Sequence, residues 1–217
     1  MKKKILILAA HPDDETLGCG ATIAKLSKEG HDINLLTFTD GESSRNKKKI
    51  INRNKCLEKV SKILGIKNYS FGNFPDNQMD SLPILKICKF IEKKITFTPD
   101  IIFTHHPKCL NIDHATIYRA TITVFRPQKG LNVEINCYPI PSSTEWNPLG
   151  FINFNLYYNV ESFVDQKIEA LKVYEKEMRP YPHPRSYESI RNYMKLSGNE
   201  VGLKYCEKFQ SIRKIIN

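Results

Sequence analysis

Ala9-Ala10-His11-Pro12-Asp13-Asp14-Glu15 sets one imidazole and three carboxyls side by side in a short stretch. That density suggests a metal ion with a base beside it. Helix capping is the competing account, because Asp and Glu favour a helix N-terminus. Capping explains one or two of these residues, but neither His11 nor the adjacent pair Asp13-Asp14. A second polar cluster follows far downstream, His105-His106 and then Asn111-Ile112-Asp113-His114. A catalytic zinc takes three protein groups and leaves one position for water. His11 and Asp14 converging from a tight turn, with His114 from a second loop, would supply that set while Asp13 points elsewhere. Asp113 would orient an imidazole from behind. His114 as a cap of the later helix is the duller alternative, and spacing alone leaves the two open. A third set, Arg45, Arg53 and Asp76, is placed near the same loops.

These residues need elements to bring them together. Ile5-Leu6-Ile7-Leu8 precedes the first cluster and Thr16 to Lys28 follows it, which reads as strand, turn, helix. Asp32 to Phe38 is a second strand, so the unit is a parallel βαβ. Further strands are expected at Tyr69–Gly72, Ile101–Thr104 and Val133–Tyr138, and helices at 46–64, 82–95 and 114–125. Alternation from Ile152 to Val160 marks another strand, and Asp165 to Met178 a helix. The last segment, Tyr187 to Ile216, reads as helical with a break near Ser197-Gly198. Both chemical clusters then fall at the carboxyl ends of strands, where open α/β sheets place their ligands. The expectation is a Rossmann-like three-layer α/β/α domain with a mostly parallel sheet, spanning 1–217 without repeat or linker.

The 217 residues are 41% hydrophobic and 26% charged, ordinary for a globular chain with a substantial core. The formal charge of +10 is read mainly as compositional bias in a Lys-, Ile- and Asn-rich chain. No zinc finger, RNA-binding aromatic signature or DNA-reading basic helix accompanies it, so no nucleic-acid partner is expected. Met1-Lys2-Lys3-Lys4 and the apolar run behind it are too short for a signal peptide, and no segment has transmembrane length. The six Cys form no CxxC pair, and a cytoplasmic protein with reduced thiols and no stable membrane insertion is expected. Cys19 and Cys109 lie near the clusters and are read as small buried apolar side chains.

Ala10-His11-Pro12-Asp13-Asp14-Glu15 with Gly18-Cys19-Gly20, and Asp113-His114 downstream, resembles the LmbE-like or PIG-L family. The resemblance covers most of the chain, including Asp40-Gly41-Glu42, Arg53, and Thr104-His105-His106-Pro107. Pro141-Ser142-Ser143-Thr144-Glu145-Trp146 and Met178-Arg179-Pro180-Tyr181-Pro182-His183-Pro184-Arg185-Ser186 are similar to a bacterial subgroup associated with surface polysaccharide or modified sugars. The resemblance implies the LmbE-like fold and a metal-dependent deacetylase, with Zn²⁺ or another divalent ion. The substrate would be a small N-acetyl sugar, free or nucleotide- or lipid-linked. It implies His11, Asp14 and His114 as metal ligands and Asp13 as general base, with Glu15 fixing the turn and Asp113 behind the ligands. Arg53 matches a substrate-facing position; Asp76 and Arg185 are further candidates for substrate contact. Family members are often homo-oligomers. One departure stands out: many members carry His three residues before the metal-binding His, where this chain has Asn111. Asn111 can donate a hydrogen bond to substrate but cannot change charge. His183 is the expected catalytic replacement, with His105 or His106 as the alternative. The rival readings are a non-catalytic sugar- or nucleotide-binding homologue, and a zinc amidohydrolase acting on non-sugar amides.

Overall fold

A computed structural model describes residues 1–44, 53–128, 131–148 and 152–216. Arg45, the Lys47–Lys49 run and the first turns expected of the second helix lie outside these residues. The elements in chain order are β1 (Lys4–Ala9), α1 (Asp14–Lys28), β2 (Asp32–Thr39), α2 (Arg53–Leu64), β3 (Asn68–Phe74), α3 (Ile84–Lys94), β4 (Ile101–His105) and α4 (Ile112–Val124). Then come β5 (Glu134–Tyr138), β6 (Leu156–Asn159), α5 (Val164–Val173), α6 (Tyr187–Asn199) and β7 (Cys206–Arg213).

The sheet has the strand order β3-β2-β1-β4-β5-β7-β6. The first five strands are parallel; β7 runs antiparallel to β5, and β6 antiparallel to β7. This is a mixed, mostly parallel α/β sheet, as expected. β1 is buried on both faces, and its period of two feeds both cores. Ile5, Ile7 and Ala9 pack into one cluster with α1, α5 and α6 residues such as Leu17, Ile168 and Met194. Leu6, Leu8 and Ala10 pack into the other, with Ile87 of α3 and Ile117 of α4. The chain leaves β1 towards β2 on one side and reaches β4 on the other, so the strand order reverses beside β1. The carboxyl ends of β1 and β4 therefore flank the crevice in which such sheets bind ligands.

The end of the chain corrects the helical expectation. α6 stops at Asn199, and Cys206–Arg213 forms a strand. Gly198 lies against the backbone of Leu203 and Lys204, where a Cβ would stand 2.7 Å from backbone atoms, so the chain turns sharply there. Charged residues in the strand hid its period. Glu207 is buried because its carboxylate accepts from Ala21 N (3.1 Å) and Thr22 N (2.6 Å) of α1. Lys167 Nζ of α5 completes the set at 2.6 Å and also donates to Leu17 O at 2.8 Å. Replacing Lys167 by Met would leave the Glu207 charge buried without its cation. The expected loss is about 3 kcal/mol, read by urea unfolding of the metal-free chain. β6 is also shorter than the alternating stretch from Ile152 to Val160 suggested. Among the described residues, no helix is long and apolar enough to cross a membrane.

Candidate metal centre

The turn after β1 is pinned from both sides. Ala10 N donates to His105 Nε2 at the end of β4 (2.8 Å), and Ala10 O accepts from Thr39 N at the end of β2 (2.9 Å). The carbonyl of Asp13 then opens α1 by accepting from Thr16 N (3.1 Å) and Leu17 N (2.8 Å). Asp13 sits at φ 134°, and its side chain makes no capping hydrogen bond. Positive φ is uncommon outside glycine and is tolerated best by Asp and Asn. Asp14 does not cap either: its Oδ2 turns back to accept from His11 N at 2.9 Å. Capping therefore accounts for neither the Asp13 nor the Asp14 side chain.

Three atoms converge instead. Asp14 Oδ2 lies 3.0 Å from His11 Nδ1 and 3.2 Å from His114 Nε2, and the two ring nitrogens are 3.3 Å apart. Around a tetrahedral zinc with bonds of about 2.0–2.1 Å, ligand atoms stand roughly 3.3 Å from one another. The triangle fits that spacing, and all three side chains are buried. Two imidazole nitrogens and one carboxylate oxygen suit zinc and also accept other divalent ions.

Each imidazole is held from behind. His11 Nε2 faces Asp113 Oδ2 at 3.0 Å and Asp76 Oδ1 at 3.2 Å. Asp113 in turn accepts from Asn77 N (2.7 Å) and Met79 N (3.0 Å), which ties the loop after β3 to α4. His11, Asp76 and Asp113 also cluster closely enough to suggest a second metal site. A single Nε2–H donated to two carboxylates accounts for that cluster without an ion. His114 Nδ1 lies 3.0 Å from Cys109 Sγ, and His105 stacks on its ring at 3.8 Å.

The electrostatics follow from burial and contact. Burial works against charge on His114, yet the Asp14 carboxylate carries its pKa up to about 9. Burial works to raise Asp76, but hydrogen bonds from His11 and Ser44 hold it down at about 2. Burial raises Asp13, with the Arg53 guanidinium pulling the other way. Burial pushes Glu15 up to about 7. Metal binding requires a neutral imidazole. Because His114 in the metal-free chain keeps its proton up to about 9, zinc uptake near neutral pH should release at least one proton, and affinity should climb as pH rises towards that value. Calorimetric titration in buffers of different ionisation enthalpy reads the release directly.

The other expected site residues fall into two groups. Arg185 reaches the turn: its Nη1 lies 3.5 Å from Asp13 Oδ2, while its Nε donates to Ser142 Oγ (2.9 Å) and Pro141 O (3.3 Å). His183 is half-buried beside it, edge-on to Trp146 with ring centroids 5.7 Å apart. His183 Nδ1 accepts from Arg185 N at 3.0 Å, so the neutral ring carries its proton on Nε2. Glu15 lies under the turn, accepting from Asp13 N, Thr16 Oγ1 and Tyr174 Oη.

Arg53, Asp76 and Asn111 were expected to face substrate, and their side chains are committed elsewhere. Arg53 is 4% exposed. It pairs with Glu177 at 2.5 Å, donates to Pro12 O at 3.3 Å and lies 3.6 Å from Asp13 Oδ2. Asp76 holds His11 and Ser44. Asn111 is the N-cap of α4: its Oδ1 accepts from Asp113 N (2.9 Å) and His114 N (3.3 Å), and its Nδ2 donates to Asn77 Oδ1 (2.9 Å). Asn111→Ala should lower stability by about 1 kcal/mol in urea unfolding of the metal-free chain. His105 and His106, the alternatives to His183, have other partners in this structure. His105 Nε2 accepts from Ala10 N, and the ring is fully buried; His106 is bonded to Gln210 Oε1 (2.6 Å) and Lys108 N (3.1 Å). Sequence reading missed Glu177, Tyr174, Asn77 and the Cys109–Ser143 pair. Glu177 and Tyr174 carry no local signal, because they act through Arg53 and Glu15, distant in the chain, and Asn77 and Ser143 likewise act through Asp113 and Cys109.

Residues 6–125 match the model of the PIG-L family, described as GlcNAc-PI de-N-acetylase. That range includes the whole ligand triangle and more than half of the chain. The chain belongs to the PIG-L family. The uncharacterized deacetylase YaiS of Escherichia coli is 32% identical over 131 residues, which cover 58% of this chain and 69% of YaiS. Among solved structures, the N,N'-diacetylchitobiose deacetylase of Pyrococcus horikoshii superposes with a TM-score of 0.74 at 23% identity, over 97% of this PIG-L chain and 84% of that one. The 4-carboxy-2-hydroxymuconate hydratase GalB of Pseudomonas putida shares the fold as well, with a TM-score of 0.68 at 17% identity over 100% and 98% of the two chains. The same PIG-L architecture is thus found in a deacetylase and in a hydratase, and assigning a reaction depends on the residues at the site.

Proposed function

We propose that this PIG-L chain, read as one domain over 1–217, is a zinc-dependent deacetylase. It would remove the N-acetyl group from an amino sugar, free or carried on a nucleotide or lipid. The observation that carries this reading is the division of labour in one turn. His11 and Asp14 join His114 in a triangle of zinc dimensions, while the adjacent Asp13 carboxylate is neither a cap nor part of the triangle. A non-catalytic sugar-binding homologue has no use for a carboxylate base beside such a triangle.

A bound zinc ion would lower the pKa of water to about 7 and polarise the amide carbonyl. The protein's own groups do the rest. Asp13 takes a proton from the attacking water as its oxygen bonds to the acetamide carbon. His183 donates from Nε2 to the carbonyl oxygen as negative charge develops there. The C–N bond then breaks, the sugar nitrogen takes the proton held by Asp13, and acetate leaves with the water oxygen. Arg53 and Arg185 hold the Asp13 carboxylate in place. In this reading Arg53, Asp76 and Asn111 are scaffold for the ligands rather than substrate contacts. Arg185, half-buried, keeps both roles: it holds Asp13 and presents charge to an anionic substrate.

A mass-spectrometric screen of N-acetyl sugars and their nucleotide and lipid conjugates, with zinc-loaded protein, tests the substrate class. Loss of one acetyl group from at least one of them supports it. Hydrolysis confined to non-sugar amides would replace the substrate class and keep the chemistry. A His183→Ala protein that binds zinc and turns over at the wild-type rate would remove His183 from the account.

A further inference from the structure

We propose that Cys109 is a positioning residue of the metal centre: its sulfur holds the outer nitrogen of His114 and so presents the inner nitrogen to the ion. The inference rests on His114 being a ligand, as read above. Cys109 is 6% exposed, and all six cysteines of the chain are free thiols. Its Sγ lies 3.0 Å from His114 Nδ1 and 2.9 Å from Ser143 Oγ.

The geometry assigns one task to that sulfur. His114 Nε2 points into the triangle, 3.2 Å from Asp14 Oδ2 and 3.3 Å from His11 Nδ1. A nitrogen that carries a proton cannot bind a metal, so the neutral ring must keep its proton on Nδ1. Cys109 Sγ is the hydrogen-bond partner that Nδ1 meets, and a sulfur lone pair there favours the required tautomer. Metal-bound imidazoles usually donate their outer N–H to a carboxylate, a carbonyl or water. His11 follows that rule through Asp113, whereas His114 uses a thiol. The two ligands thus have outer partners of very different charge.

The sulfur is itself fixed by the loop after β5. Ser143 Oγ shares a hydrogen bond with Sγ, and Ser143 O accepts from Leu110 N at 3.3 Å. The preceding residues of that loop, Pro141 and Ser142, hold Arg185. Ser143-Cys109-His114 therefore runs from the loop that orients Arg185 to the ion site. His105, stacked on the other face of His114, stops the ring from tilting away.

The test uses the full chain as Cys109→Val, which keeps bulk and removes the acceptor, and Cys109→Ser, which keeps an acceptor. Zinc affinity is measured by competition with a chromophoric chelator. The metal-free proteins are examined by proton NMR above about pH 9, where the ring is neutral and has one proton to place, for the low-field Nδ1 proton of His114, assigned by its loss in His114→Gln. The expected result is a dissociation constant raised about 10- to 100-fold in Cys109→Val, the range typical of lost outer partners, with most of the affinity retained in Cys109→Ser. The Nδ1 proton signal should persist in Cys109→Ser and vanish in Cys109→Val. A folded Cys109→Val protein with wild-type zinc affinity and an unchanged Nδ1 signal would overturn the proposal. If the valine variant does not fold, Cys109→Ala carries the same expectation. A wild-type protein that binds no zinc would defeat the proposed function, and the NMR signal would still decide whether Cys109 holds His114.

Discussion

Asp13→Asn should lower turnover by about 10³-fold or more while zinc content stays at the wild-type level. The substitution isolates the base. Asn has nearly the shape of Asp, and the turn is pinned by backbone hydrogen bonds of Ala10 and Asp13 that do not use the Asp13 side chain, so the turn should survive. The ligand triangle does not use Asp13, so metal affinity should survive too. The neighbouring cations are not left alone: Arg53 retains Glu177 at 2.5 Å, and Arg185 retains Ser142 and Pro141. What disappears is the one carboxylate placed to accept and return a proton. Steady-state kinetics beside a metal assay separate the cases. A loss of zinc would make Asp13 a ligand, and near-normal turnover with zinc bound would place the base elsewhere.

His114→Ala should abolish both zinc retention and activity. Removing an outer partner of a ligand typically weakens binding about 10- to 100-fold, and removing the ligand itself should exceed that. Two atoms, His11 Nδ1 and Asp14 Oδ2, would remain, 3.0 Å apart, with one face of the site open. The loss should be local. The Asn111 cap holds the start of α4 through backbone N–H groups, and the variant's backbone would still supply the one at this position. Circular dichroism of the metal-free variant should therefore keep the wild-type shape, with a lower melting temperature because Asp14 loses its buried partner, while equilibrium dialysis against zinc shows no stoichiometric binding. Retention of one zinc per chain would show that the ion is held by another set of residues.

The parts of the centre that were legible in the sequence are those that act locally. His11, Asp13 and Asp14 share one turn, so their types and order carried information about chemistry. β1 and β2 announced themselves by apolar runs bounded by turn residues, and with them the edge on which the site forms. Arg53 was less legible because its role depends on Glu177, on the far side of α5, and on the Pro12 carbonyl. Asn111 looked like a lost imidazole, although Asn is a favoured N-cap and the helix began one residue later. Cys109 read as a buried apolar residue. Its meaning lies in Ser143 and His114, and a single chain gives no hint that the three meet. β7 was hidden for a different reason: Glu207 and Lys208 are charged residues in a buried strand, and the strand is possible only because Lys167, α1 and Glu200 receive their charges.

The central claim is that this PIG-L chain couples a bound ion at His11, Asp14 and His114 to release of acetate. The direct measurement is an acetate assay on N-acetyl amino sugars with the wild-type protein stripped by a chelator, the same protein reloaded with zinc, and zinc-loaded Asp13→Asn. The account predicts no acetate from the stripped protein, release restored in proportion to zinc bound up to one ion per chain, and almost none from zinc-loaded Asp13→Asn. Acetate release that is indifferent to metal content, or none from fully loaded wild-type protein on every N-acetyl substrate offered, would contradict it.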